Sequence, residues 1–158
     1  MEQLREGTPC PAFELPDADG ATVSLDDLKG RPFVLYFYPK DDTSGCTVEA
    51  KDFSQAGEEF AAIGVPVFGV SPDGVKSHAK FATKHELSVR LLADEEKKLI
   101  SALGLWVEKS MYGRTYMGVE RSTVLFDAQA RAHRVWPKVK VKGHVDEVLA
   151  AAKALAAD

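Results

Sequence analysis

Cysteine is scarce in this chain. Two residues, Cys10 and Cys46, are too few for a disulfide framework or a cysteine-rich zinc site. The scarcity fits a reducing, cytoplasmic home, where a lone cysteine is either catalytic or simply buried. Long apolar runs are missing too, and no window approaches the roughly 18 apolar residues of a membrane span. The opening "MEQLREG" is charged with no apolar stretch behind it, so no secretory signal is expected. The closing "AAAKALAAD" is helix-forming and resembles no targeting tag. Positive charge is not in excess: 20 basic residues face 24 acidic ones, which argues against a general nucleic-acid binder. His78, His85, His133 and His144 lack metal-ligand spacing, so surface or capping roles are expected and no metal site. No repeat, low-complexity segment or linker divides residues 1–158. A single domain is expected, long enough to bury a sizeable core.

What is present is an alternation of strand and helix patterns. Short apolar pieces flank Asp19-Gly20, a hairpin-type turn signal near the start. "RPFVLYFYP" (31–39) is a continuous β-branched and aromatic run that Pro39 stops, as expected of a strand buried on both faces. A helical pattern follows from Thr43 to Gly64, then a second buried strand over 65–71 and a helix over 74–86. A short strand at "VRLLA" precedes a helix over 94–103. "GVERSTVLFD" (118–127) and "RAHRVW" (131–136) read as two strands joined by a tight turn. "KVKVKGH" reads as an exposed strand end leading into a last helix over 144–156. Trp106, Met111, Tyr112, Tyr116 and Trp136 suit either core packing or the border of a site or dimer face. The order implies an α/β fold with a mixed sheet and fits a thioredoxin-like core.

Cys46 lies where the loop after the first buried strand turns into a helix. Stepping by helical spacing reaches Glu49, Ala50, Phe53, Gly57 and Phe60, so Cys46 shares their inward face. Spacing alone is compatible with a small buried hydrophobe. The neighbours favour a nucleophile. First-turn amides lack helical partners and sit at the positive end of the helix dipole. Thr43 offers either a cap or a hydroxyl for a substrate oxygen, and Gly45 lets backbone approach closely. Such an electropositive pocket favours the thiolate, the reactive form of cysteine. Glu49, one turn on, either holds a guanidinium or is a solvated helix glutamate.

The segment "FYPKDDTSGCTVEAKDF" resembles the active-site segment of peroxiredoxins, closest to their bacterioferritin comigratory protein (Q-type) branch. "FELPDADG", "FGVSPD", "MYGRTYMGVERSTVLFD" and "RVWPKVKVKGHVDEVL" continue the likeness in order over roughly residues 6–155. The resemblance implies a thioredoxin-like fold: a central mixed β-sheet flanked by helices, with an N-terminal β-hairpin. It implies that Cys46 attacks peroxide and becomes a sulfenic acid. Thr43 then supplies a hydroxyl to sulfur or peroxide, Pro39 shields the site, and Arg121 holds thiolate and peroxide together. It implies an antioxidant thiol peroxidase, acting on hydrogen peroxide and organic hydroperoxides without metal or organic cofactor. Thioredoxin, glutaredoxin or a low-molecular-weight thiol is the expected reductant, with no nucleic-acid or membrane partner, and a monomer is the default.

Two departures matter. Ser44 stands where a proline is common, which loosens the loop without removing a catalytic group. Many members of this branch carry a resolving cysteine five residues after the first, and others carry it in the next helix; here those places hold Lys51 and a cysteine-free "SHAKFATKHELS". Residues five apart on a helix differ by about 140° and about 7.5 Å of rise, so such a pair must unwind the helix to bond. With Lys51 there, one-cysteine chemistry recycled by an outside thiol is expected. Cys10 is the alternative internal resolver, or a small buried residue. The remaining readings are a disulfide reductase, which "TSGC" fits poorly for want of a first cysteine, and a binding module with a structural Cys46.

Overall fold

The computed structural model describes residues 4–157. The chain opens with an antiparallel hairpin, β1 (Glu14–Pro16) and β2 (Thr22–Ser24), with Leu15 opposite Val23. Its turn is closed by the Asp17 carboxylate, which accepts from the amides of Asp19 and Ala21. A single helical turn, α1 (Leu25–Leu28), follows on a Ser24/Asp27 capping box. Then come β3 (Phe33–Phe37), α2 (Ser44–Gln55), α3 (Gly57–Ala62), β4 (Val67–Ser71), α4 (Val75–His85), β5 (Arg90–Ala93) and α5 (Lys98–Ala102). A second hairpin, β6 (Trp106–Met111) and β7 (Arg114–Val119), precedes β8 (Ser122–Phe126), β9 (Ala132–Trp136) and α6 (His144–Ala156).

The central sheet runs β5-β4-β3-β8-β9. β3 pairs parallel with β4 and antiparallel with β8, so the sheet is mixed. This is the thioredoxin-like arrangement expected from the sequence, N-terminal hairpin included. All five residues of β3 are buried, as its unbroken apolar run requires. Successive side chains alternate between the faces. Phe33, Leu35 and Phe37 join Cys10, Leu25, Leu28, Leu99 and Ile100 in one apolar layer. Val34, Tyr36 and Tyr38 join Cys46, Phe53, Phe60, Phe81 and Val148 in the other. Gly69, opposite Tyr36, has to be glycine: a Cβ there would stand 2.6 Å from the Tyr36 ring carbon Cζ.

Several elements differ from the sequence expectation. The helix expected over 43–64 is two, meeting at Ala56, where the Ser54 side chain and carbonyl bond the Ser88 and Val89 segment instead. The helix expected over 94–103 begins only at Lys98, because residues 94–97 form a turn with Lys97 left-handed and the Asp94 carboxylate capping the Ile100 amide. The strand expected over 118–127 breaks at Glu120 and Arg121. The Glu120 amide bonds the Leu105 carbonyl and the Arg121 carbonyl accepts from Val139, which turns the chain from the β6–β7 hairpin into the central sheet. The β6–β7 hairpin itself was not anticipated. "KVKVKGH" is irregular rather than extended, since Pro137 follows β9 directly. His78 and His144 are buried, contrary to the surface roles expected for them, while His133 is exposed. Among the described residues, no helix is long and apolar enough to cross a membrane.

Candidate active site

The loop after β3 delivers the site. Pro39 is half-buried at the bend that ends the strand. Thr43 is the N-cap of α2 through its backbone, its carbonyl accepting from the Thr47 amide at 2.9 Å. Its hydroxyl does not cap the helix. It donates to the Lys40 carbonyl at 3.0 Å, which commits its proton and leaves the oxygen's lone pairs free. Cys46 is the third residue of α2, in the turn whose amides lack helical acceptors, and is 1% exposed.

Arg121, at the break between β7 and β8, reaches across to the start of α2. Nη2 donates to Cys46 Sγ at 3.1 Å and Nη1 donates to Glu49 Oε1 at 2.6 Å. One planar group thus grips two side chains that share a helix face. Gly45 makes room for it: a Cβ there would lie 3.3 Å from Nη2. Glu49 is fully enclosed, which removes the solvated reading of that residue. Burial raises its pKa to about 7, against the opposing pull of Arg121. A cleft of about 480 Å³ opens beside Arg121, lined by Val107, Lys109, Lys138 and Val139 among others. Lys109, on β6, is half-buried; burial, then the Arg121 charge, lowers its pKa.

The structure therefore brings Cys46, Glu49 and Arg121 together, with Thr43 one turn ahead and Pro39 at the preceding bend. Cys10 is not among them. It lies in the apolar layer on the other face of the sheet, where burial pushes its thiol up to about 12. Lys51 is exposed on an intact α2.

A clamp on the loop escaped the sequence reading. Asp41 is buried and accepts from Tyr38 Oη at 2.6 Å and Ser77 Oγ at 2.8 Å, with His78 Nδ1 at 2.7 Å. Its amide donates to Asp73 Oδ2, and His78 Nε2 lies 3.0 Å from the Leu92 carbonyl. Asp41, Asp73 and His78 bring ligand-type atoms within 4.8 Å, but those atoms are engaged in this hydrogen-bond network. Asp42 is left-handed (φ 61°) and is held by Lys84 and His85 of α4. The only sequence signal was the pair of aspartates just before Thr43, and nothing in their spacing named a partner.

Comparison with known proteins agrees with this geometry. The AhpC/TSA family model matches residues 7–132. Peroxiredoxin Bcp of Bacillus subtilis is 50% identical over 143 residues, covering 90% of this chain and 91% of that protein. Among solved structures, Xanthomonas campestris peroxiredoxin Q superposes with a TM-score of 0.86 at 42% identity, over 91% of each chain. A Xylella fastidiosa PrxQ structure gives 0.91 at 35% identity, over 98% of each. A cysteine at a helix start on a thioredoxin-like sheet, and relatives matched over nearly their whole length, lead to one conclusion: the chain belongs to the AhpC/TSA family and is a peroxiredoxin of the Bcp type, a thiol-dependent peroxidase.

Proposed function

We propose that this peroxiredoxin works by one-cysteine chemistry on Cys46, reducing hydrogen peroxide and organic hydroperoxides in antioxidant defence. The observation that carries this reading is the Arg121 guanidinium against Sγ at 3.1 Å. A fixed cation there stands beside the reacting sulfur and the oxygen on which negative charge develops. Thiolate attack forms the S–O bond and breaks the O–O bond, so sulfur is oxidised to sulfenic acid and hydroxide or alkoxide departs. The Thr43 hydroxyl, with its own proton committed to the Lys40 carbonyl, accepts a hydrogen bond from the incoming hydroperoxide. Pro39, half-buried at the loop bend, limits water at the mouth. For the X. campestris bacterioferritin comigratory protein, alkyl peroxide reduction activity has been described from trapped intermediate/ligand complex structures, which supports organic hydroperoxides as substrates here.

The second half of the cycle belongs to an outside thiol: thioredoxin, glutaredoxin or a low-molecular-weight thiol, met by a cytoplasmic monomer. Three observations support that over a Cys10 disulfide. The two cysteines belong to apolar layers on different faces of the sheet, the Cys10 thiol is held protonated by burial, and Lys51 stands where a resolver on α2 is common. A binding module with an inert Cys46 has no use for an arginine shared between sulfur and a buried glutamate. The test is intact mass after one equivalent of peroxide, with and without a sulfenic-acid trap. A trapped adduct on Cys46 is expected; rapid loss of two hydrogens per chain would make Cys10 the resolver. Cys46→Ser must abolish peroxide consumption, and a variant that still consumes it ends the assignment.

A further inference from the structure

Arg121 serves two acids with one positive charge. Nη1 bonds Glu49 Oε1 at 2.6 Å and Nη2 bonds Cys46 Sγ at 3.1 Å. Glu49 is 0% exposed, and its second oxygen, Oε2, has no hydrogen-bond partner among the described residues. A buried carboxylate oxygen without a donor is costly, and a neutral carboxyl costs far less in the same place. The groups around Glu49 do not offer further compensation. Cys46 and Asp52 lie on its own helix, the Tyr36 hydroxyl faces it from β3, and Arg121 comes from the β7–β8 link. Of these only Arg121 is cationic. With Cys46 ionised, charging Glu49 as well sets two negative charges against one positive charge in an enclosed site.

We propose that Glu49 is a proton reservoir for the peroxide step, neutral while Cys46 is a thiolate and ionised once the sulfur's charge has been spent. The proposal rests on the reading of Cys46 as the peroxide-reacting thiolate. In the first half, Cys46 sulfur attacks one peroxide oxygen, forming the S–O bond as the O–O bond breaks. Sulfur loses two electrons to the peroxide, the attacked oxygen keeps its hydrogen as the sulfenic hydroxyl, and hydroxide or alkoxide leaves. The leaving group takes up one proton, and Glu49 gives one up because the Arg121 charge, no longer shared with a thiolate, now serves Glu49 alone. The site therefore exchanges no net proton with bulk solvent. In the second half, one thiol displaces water from the sulfenic acid and a second thiol releases the mixed disulfide. That returns Cys46 to thiolate with one proton, which recharges Glu49. Glu49 acts through Arg121 rather than on substrate, so it is a positioning residue with a charge that alternates. The raised pKa of Glu49, about 7, agrees with this alternation near neutrality.

The test counts protons. Reduced full-length protein receives one equivalent of hydrogen peroxide in weakly buffered indicator solution, and trapped Cys46 sulfenic acid is quantified in parallel. At about pH 6 the wild type should take up close to no protons per sulfenic acid formed, whereas Glu49→Gln should take up about one. Glutamine keeps an oxygen for Arg121 but holds no titratable proton, so a role confined to holding the guanidinium predicts equal uptake. Equal uptake in the two proteins overturns the proposal. Infrared difference spectra of the wild type alone give a second reading should the variant fold poorly. The carbonyl band of a protonated carboxyl should vanish on oxidation as carboxylate bands rise, and its persistence overturns the proposal independently. Failure to trap any sulfenic acid on Cys46 would instead bring down the peroxidase chemistry on which the proposal stands.

Discussion

Cys10 and Cys46 belong to apolar layers on opposite faces of the central sheet, so the strands themselves separate the two sulfurs. Burial holds the Cys10 thiol at about 12, which denies it the thiolate needed to attack a sulfenic acid. Cys10→Ala is accordingly expected to leave the second-order rate of Cys46 oxidation unchanged, as followed by stopped flow. After peroxide, both the variant and the wild type should gain one oxygen by intact mass and lose no hydrogen pair.

The proposed peroxide step is expected to depend on Arg121, whose guanidinium bonds Cys46 Sγ. Arg121→Ala should slow sulfenic-acid formation by about 10² to 10³-fold, the usual cost of losing a preorganised donor at a developing charge. Arg121→Lys should recover only part of this, because a single ammonium cannot span Sγ and Glu49 as the fork does. Gly45→Ala tests the same contact from the other side. Its new Cβ would meet Nη2 at 3.3 Å, and a measurable but smaller rate loss is expected.

Acid should weaken the fold through His144. This histidine is buried at the start of α6, its Nε2 2.8 Å from the Thr123 hydroxyl, and burial lowers its pKa from 6.5 to about 4. Between those values the unfolded chain binds a proton that the folded chain refuses, so stability falls as pH drops from 6.5 through 4. The midpoint of urea unfolding should fall over that window in the wild type. His144→Gln, which cannot charge, should show a shallower dependence.

Asp41 should be among the most sensitive positions outside the site. Asp41→Ala strands His78, Tyr38 and Ser77 without their common acceptor. Leaving buried polar groups without their hydrogen-bond partner costs about 1 to 3 kcal/mol each, measurable by urea denaturation. The peroxide rate should fall as well, since the loop carrying Pro39 and Thr43 loses its inner anchor.

Much of this architecture is readable from sequence, for identifiable reasons. β3 and β4 are legible because strands buried on both faces leave unbroken apolar runs. The start of α2 is legible because Thr43, Gly45 and Cys46 carry local helix-start chemistry. β6 and β7 are not, because their residues are mostly half-buried or exposed and mix charges with aromatics. Missing that hairpin also hid the chain reversal that sends Arg121 to the site. Partnerships between distant residues leave no local trace. Arg121 meets Cys46 across 75 positions and Asp41 meets His78 across 37, and only family likeness pointed to the first. The burial of His78 and His144 is not legible, because a lone histidine looks the same in sequence whether its partner is water, a carboxylate or a hydroxyl.

The loop before Cys46 is held by two aspartates in unlike surroundings. Asp41 is enclosed, whereas Asp42 and Lys84 are 43% and 62% exposed in their side chains. Dissolved ions screen exposed pairs over about 8 to 10 Å at physiological strength and barely touch enclosed ones. Raising the ionic strength therefore relaxes the outer fastening of the loop while the inner one stays set. The mouth of the site thus carries a sensitivity to electrolyte that the sulfur and its arginine, a few residues further on, do not share.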